Sequence, residues 1–277
     1  MIGKATDHTG VERKLNYLWD GPTRIPHYQP LRTFGATSAP PFMTIIGKCP
    51  RITDQGQQGA CTGHSSVAPY YIAEVNAGRT PFIPSPAFIY YNERLINGQT
   101  DQDAGASISD IYRAGNKYGI CPDNLMPYDE SDFTTPPPQI AYATAVSHRA
   151  HIYAPVPQLL ENLIGCLHHG GFPVSIGVSV YQSFMDARDG NIPMPGAKEN
   201  LLGGHALSLV GYNNTDQPQP CPYPMADAEG VITIPPKSFV FRNSWGILWG
   251  QKGYGFFPFA YMLDSGLSSD FWMIRSI

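Results

Sequence analysis

Four side chains, far apart in the chain, have the types that acyl chemistry at a carbonyl requires: Cys61, His205, Asn243 and Gln55. Cys61 lies in DQGQQGACTGHS (54–65), a run too rich in Gly and Gln to be core. A lone cysteine is more often a buried structural thiol than a nucleophile. His205 opens a strand-like stretch directly after two glycines, in GGHALSLVGY (203–212), and alone reads as a satisfied strand histidine. Asn243 closes another such stretch in RNSWGILWG (242–250), which alone fits a tight turn. Together they compose one mechanism. A thiolate attacks a carbonyl far better than a thiol, and a neighbouring imidazolium lowers the thiol pKa from its ordinary ~8.5 into the acidic range. A helix N-terminus at the cysteine favours the anion further. An Asn side-chain oxygen orients the imidazole without becoming a competing base. The Cys61 backbone N–H and the Gln55 side-chain amide are the donors for the oxyanion.

These residues have to be positioned by elements that change character along the chain. The pattern predicts a helix from Cys61 to about Ala77, kinked by Pro69 and stopped at Asn76–Ala77–Gly78. SPAFIYYNERLI (85–96) and SISDIYRAGNKYG (107–119) also read as helices, the second with Ser and Asp at its start and Gly119 at its end. The run PPPQ (136–139) is expected to end this helix-rich half, with one more amphipathic helix at 158–170. Strand patterns follow at 173–180, 205–213, 237–245 and 253–259, with a Pro-rich surface loop expected at 215–230. Helices first and strands second define an α+β protein of two lobes.

Composition excludes several classes. The 277 residues are 42% hydrophobic and only 14% charged, which indicates a globular chain. A net charge of −4 leaves no footprint for nucleic acid or an anionic membrane surface. No apolar run reaches the ~18 residues that a membrane span needs. The N-terminus lacks the apolar core of a secretory leader, so the chain is expected to work inside a cell or to have lost a leader. Five cysteines form no CxxC pair, an arrangement that fits a reducing compartment and still permits one bridge among Cys49, Cys121, Cys166 and Cys221. Neither DQDAG (101–105) nor DARDG (186–190) follows calcium-loop spacing, and His168–His169 reads as a solvated helix end, so no metal and no cofactor are expected.

The ordered set Gln55-Gly56, Cys61, Gly204-His205-Ala206, Asn243-Ser244-Trp245-Gly246 and Trp249-Gly250 resembles the papain-like cysteine peptidases. DAGASISDIYRAGNKYGICPDNLMPYD (103–129) is similar to the family's cleft-wall segment, and GFPVSIGV (171–178) to its G-P-(V/I)-S-(V/I) strand. The resemblance covers roughly residues 42–265. It implies a helical lobe over about 41–147 and an antiparallel, barrel-like β lobe over about 148–277, with a cleft between them. It makes Cys61 the nucleophile, His205 the general base and acid, Asn243 the residue that orients it, and Gln55 the oxyanion donor. Trp245 would shield the His–Asn hydrogen bond, while Ser244 and Trp249 would only shape the turn. Gln58 stands where eukaryotic members carry a bridged cysteine, and Thr62 where they carry an aromatic. The DQGxxG-(A/S)-C-T form looks more like the prokaryotic or viral branch. Asn243 lies further along the chain than the family spacing, and the 215–230 stretch accounts for the excess.

The resemblance also assigns a substrate groove to Gly105, Ala106, Ile108, Gly177, Gly203, Gly204 and Trp245. Ile108 and two glycines, Gly177 and Gly203, would make the pocket for the second residue on the acyl side roomy and apolar with no obvious charge at its floor, suited to Leu, Phe or Tyr and disfavouring basic residues, unless a charge enters from the C-terminal segment. The expected partner is a peptide or protein, met by a monomer. Two rivals remain open at this point: a transpeptidase or ligase using the same acyl-enzyme, and a non-catalytic peptide-binding relative. Residues 1–40 form an extension ahead of a peptidase domain at 41–277. Its aromatic and proline-rich string (Tyr17, Leu18, Trp19, Pro26, His27, Tyr28, Pro30) suits either an inhibitory segment lying in the cleft or a belt packed behind the lobes.

Overall fold

Pro69 decides where the helix of the nucleophile breaks. In the structure, a computed structural model describing residues 3–19, 39–223 and 230–277, the expected single helix is two: α1 (Cys61–Ser65) and α2 (Val67–Asn76). Proline has no N–H to offer the carbonyl four residues back. That carbonyl, on Ser65, instead accepts the Ser208 hydroxyl from the sheet. The break therefore ties the short cysteine helix to the strand that carries His205.

The remaining helices begin where their caps dictate. Ser85 accepts the Phe88 N–H at 3.0 Å and starts α3 (Pro86–Ile96), with proline at the first helical position. Ser107 and Asp110 form a reciprocal capping box on α4 (Ile108–Tyr118), and Gly119 at φ +81° ends it. The PPPQ run does not close the helical half: α5 (Gln139–Ala145) starts directly from Pro138. One more long helix, α6 (Leu160–Gly170), lies in the second half as expected.

Ahead of the helices stand β1 (Gly3–Thr6) and β2 (Glu12–Leu15), an antiparallel hairpin, and β3 (Phe42–Thr44). After them come β4 (Ile152–Pro155), β5 (Val174–Val180), the short α7 (Gln182–Met185) and β6 (Gly203–Asn213). The chain ends with β9 (Ser238–Arg242), β10 (Tyr254–Pro258), α8 (Phe259–Leu263) and β11 (Ser268–Ser276), once β7 (Gln219–Tyr223) and β8 (Gly230–Ile234) have been passed. Seven strands pair antiparallel in the order β10-β9-β6-β5-β11-β4, with β3 also on β6. β6 is buried along nearly its whole length, so its sequence is apolar on both faces.

The Pro-rich stretch is more than a loop. β7 and β8 form a two-stranded antiparallel hairpin, with residues 224–229 of the stretch outside the described residues. Cys221, Tyr223, Ile232 and Ile234 turn inward onto Ile45, Ile46 and Val240, while Pro220 and Pro222 face outward. Alternation, and the prolines' want of a donor, fit an isolated edge pair. All five cysteines are free and buried. No described helix is long and apolar enough to cross a membrane.

Candidate active site

The four residues singled out by type converge. Cys61 is the first residue of α1, where its N–H has no intrahelical acceptor. α1 packs on β6, and the Ala206 backbone, next to His205, works against the rise in the Cys61 thiol pKa. His205 Nε2 pairs with Asn243 Oδ1 at 2.9 Å, and Asn243 Oδ1 also accepts the Ser244 N–H at 2.8 Å. His205 Nδ1 is buried and has no protein hydrogen-bond partner among the described residues. The Trp245 ring stacks on the imidazole, with centroids 4.7 Å and planes 24° apart. Trp245, expected among the groove residues, is only 1% exposed and lies between the imidazole and the Arg13 guanidinium, which is 5.5 Å from the Trp245 ring.

Gln55 is fixed from three sides. Its side-chain N–H donates to the Gln58 carbonyl at 3.0 Å, its Oε1 accepts the Ser244 hydroxyl at 2.6 Å, and its backbone N–H bonds the Ser244 carbonyl at 2.9 Å. A primary amide keeps a second hydrogen to donate. Ser244, expected only to shape its turn, thus locks the amide against the segment that carries Asn243.

Both reacting groups are sealed from solvent. Burial pushes the Cys61 thiol up to about 12, with Glu93 and Asp103 adding to the rise, and pushes His205 down to about 4 against the hydrogen bond that its Nε2 donates to Asn243 Oδ1. The pair is therefore neutral here at neutral pH.

What seals them is the chain's own N-terminal segment. Tyr17 donates its N–H to the Gly204 carbonyl at 3.2 Å, and Leu18 donates to the Ala106 carbonyl at 3.0 Å. Asn16 and Tyr17 make parallel bridges to Gly204 and Ala106. The predicted groove glycines are what let it in. A Cβ on Gly105 would lie 2.0 Å from the Asn16 carbonyl oxygen, one on Gly177 2.1 Å from the Tyr17 ring, one on Gly203 2.6 Å from Leu15 and one on Gly204 2.8 Å from the Tyr17 carbonyl oxygen. Ile108 shares an apolar cluster with Tyr17, Cys61 and Ala206.

Charges that the sequence did not flag pin the segment. Arg13, 1% exposed, bonds Asp7 at 2.9 Å, Asp54 at 2.6 Å, and the carbonyls of Gly56 and Trp245, each at 3.2 Å. Lys14 pairs with Asp103, which also holds the Gly59 N–H and the Tyr90 hydroxyl. The Tyr17 hydroxyl reaches Asp270 and Ser269 of β11, so a carboxylate from the C-terminal segment does stand at the far end of the space that the Tyr17 ring fills. Trp19 is two-thirds exposed, and Pro26, His27, Tyr28 and Pro30 lie outside the described residues. Among the described residues no group of three or more His, Cys, Asp or Glu side chains could hold a metal.

A two-lobed α+β fold with this cleft defines a papain-like cysteine peptidase, and the model of the papain family cysteine proteases matches residues 46–260, so the chain belongs to that family. Among relatives, an uncharacterized peptidase C1-like protein of Acanthamoeba polyphaga mimivirus is 34% identical over 235 residues, covering 81% of this chain and 69% of its own. A cathepsin B-like protein of Giardia intestinalis is 28% identical, covering 81% of this chain and 71% of its own. The crystal structure of xylellain, a cysteine protease from Xylella fastidiosa, superposes with a TM-score of 0.80 at 28% identity, over 96% of this chain and 97% of that one. The mimivirus and Xylella similarities fit the prokaryotic and viral branch. The protein is a papain-like cysteine peptidase, a hydrolase whose substrates are peptides or proteins.

Proposed function

We propose that the chain cleaves peptides through an acyl-enzyme on Cys61, and that residues 12–18 are an inhibitory segment that must leave the groove first. The observation that carries the catalytic reading is the His205–Asn243 hydrogen bond on Nε2, which leaves Nδ1 without a hydrogen-bond partner among the described residues. With the segment gone and water admitted, the burial that holds both groups neutral is relieved. The Cys61 proton then passes to His205 Nδ1, and the thiolate attacks the substrate carbonyl. The oxyanion accepts the Cys61 backbone N–H and the second Gln55 amide N–H. His205 returns its proton to the leaving amine, then takes one from the water that hydrolyses the thioester. Asn243 and Trp245 hold the imidazole in place throughout.

The groove contacts of Leu15–Leu18 support the inhibitory reading over a belt behind the lobes. Residues 41–277 are then the catalytic domain. The test is a pair of measurements on a small peptide substrate. Cys61→Ala should lose all turnover with its thermal unfolding unchanged, and a chain beginning near Phe42 should turn over faster than the full one. Turnover in Cys61→Ala would sink the catalytic reading. An unfolded, inactive truncation would show that the segment is part of the fold. Product analysis with an added amine acceptor separates hydrolysis from transpeptidation.

A further inference from the structure

α4 carries a basic face that the peptidase chemistry does not use. Arg113, Asn116 and Lys117, spaced i, i+3 and i+4 and so on one side of the helix, line a groove of about 690 Å³. Arg149 and Tyr153, from the stretch that runs into β4, line it too, and Leu95 and Ile96 at the end of α3 add apolar surface. Three cations thus meet in a chain of net charge −4, and none of the residues lining the groove is acidic. Arg149 is the informative one. It is half-buried, its Nε is sealed from solvent, and its guanidinium has neither a hydrogen bond nor an ion pair among the described residues. Lys117 has no carboxylate partner among them either; its Nζ lies 4.9 Å from the Tyr118 ring. Arg113 gives one arm to Asp110 at 2.9 Å and keeps the rest of its fork. A merely solvated basic face would hold its charges out in water. A guanidinium held half out of water without a partner is costly, and a bound anion removes that cost.

We propose that this groove, whose lining shares no residue with the cleft, is a binding site for a phosphate monoester carried on a small organic body. The charges select the anion. A phosphate monoester brings about −1.5 to −2 charges at neutral pH and three strong acceptor oxygens. It meets two unpaired cations and a third that Asp110 half neutralises. The Arg149 fork takes two oxygens side by side, and Lys117 serves the remaining one as a point charge. A carboxylate brings one charge and two oxygens, and leaves Lys117 unanswered. The organic body is selected by the rest of the groove: Leu95 is 38% exposed there, beside Ile96, and the space is far larger than a bare ion fills. The site is independent of the reading of Cys61 as a nucleophile.

The experiment is calorimetric titration of the full chain with phenyl phosphate, inorganic phosphate, benzoate and phenol. Phenyl phosphate should bind about tenfold more tightly than benzoate, which lacks the third oxygen, and about tenfold more tightly than inorganic phosphate, which lacks the ring. Phenol should give no heat, and added salt should weaken the phosphate binding. Arg149→Gln should weaken phenyl phosphate binding at least tenfold. Lys117→Gln, on the exposed side of α4, should weaken it as well, and it keeps the test decisive where Arg149→Gln fails to fold. No binding of phenyl phosphate at millimolar concentration overturns the proposal, as does benzoate binding equally well or an affinity unchanged in both variants. Sedimentation with phosphatidate vesicles but not with phosphatidylcholine ones, lost in Lys117→Gln, would give the site to a lipid headgroup and overturn the free ester.

Discussion

Removing the Arg13 guanidinium should open the cleft without unfolding the protein. Arg13 is the one side chain of the hairpin that grips both walls: Asp54 and Gly56 on the cysteine side, the Trp245 carbonyl on the histidine side. Its guanidinium also lies 5.5 Å from the Trp245 ring. The Asp54 arm is half exposed and contributes little, about 0–1 kcal/mol. The Asp7 arm lies within the hairpin and leaves with it. The arms that cross the cleft run to the Gly56 and Trp245 carbonyls, and a hydrogen bond from a charged donor contributes about 1.5–3 kcal/mol. A loss of about 2 kcal/mol raises the open population roughly thirtyfold. The assay is thiol labelling of Cys61 in Arg13→Ala, quantified by mass spectrometry. Cys49, Cys121, Cys166 and Cys221 serve as internal controls, since all four are buried. Cys61 alone should accelerate, because its exposure needs only local opening. Unchanged Cys61 labelling in a folded variant, or equal acceleration at all five cysteines, would refute the clamp.

Acid should open the same segment in Cys61→Ala, where no thiol shares the imidazole's proton. Burial holds His205 at about 4 against an ordinary value of 6.5, so the closed state has its full stability above pH 6.5 and loses it as pH falls toward 4. Hydrogen exchange of the β2 amides should therefore quicken over that window, by at most tenfold per pH unit for one proton, and a flat profile would contradict it. Gly177→Ala should expel the Tyr17 ring and speed Cys61 labelling, since the new Cβ would stand 2.1 Å from it; slower labelling would show that the ring simply shifts. Ser244→Ala removes the donor to Gln55 Oε1 and should lower kcat roughly tenfold with KM little changed, a split that steady-state kinetics on the activated enzyme can read.

The site was legible because each of its residues sits in a short stretch whose composition departs from its surroundings. Cys61 lies in a Gly/Gln run ahead of a helix, His205 follows two glycines, and Asn243 precedes a Trp/Gly turn. The strands through His205 and Asn243 were legible too, being β-branched or aromatic and bounded by breakers. β11 was not. SSDFWMIRS begins polar, and its bulge at Asp270 breaks the alternation that would mark a strand. The N-terminal hairpin was hidden for another reason. KATDHTGVERKL is short and charged, and its ion pairs to the body run through Arg13 and Lys14, whose partners lie 41 and 89 residues away. Tyr17 did carry a signal, an aromatic in a string that suits a groove. Nothing in the sequence pointed to Ser244 as the lock on Gln55, since that contact spans 189 residues.

The glycines that admit the N-terminal segment have an evolutionary consequence. The same bare backbone at Gly105, Gly177, Gly203 and Gly204 would have to receive both the chain's own residues and a foreign peptide. A side chain acquired at any of them evicts the segment and narrows the channel for substrate in one stroke. A lineage cannot therefore reach an unrestrained, efficient enzyme by changing the groove. It can do so only by changing the segment, at Arg13, Lys14 or Tyr17, where restraint alone is lost. On the inhibitory reading of the segment, regulation is free to drift on one side of the contact and frozen on the other.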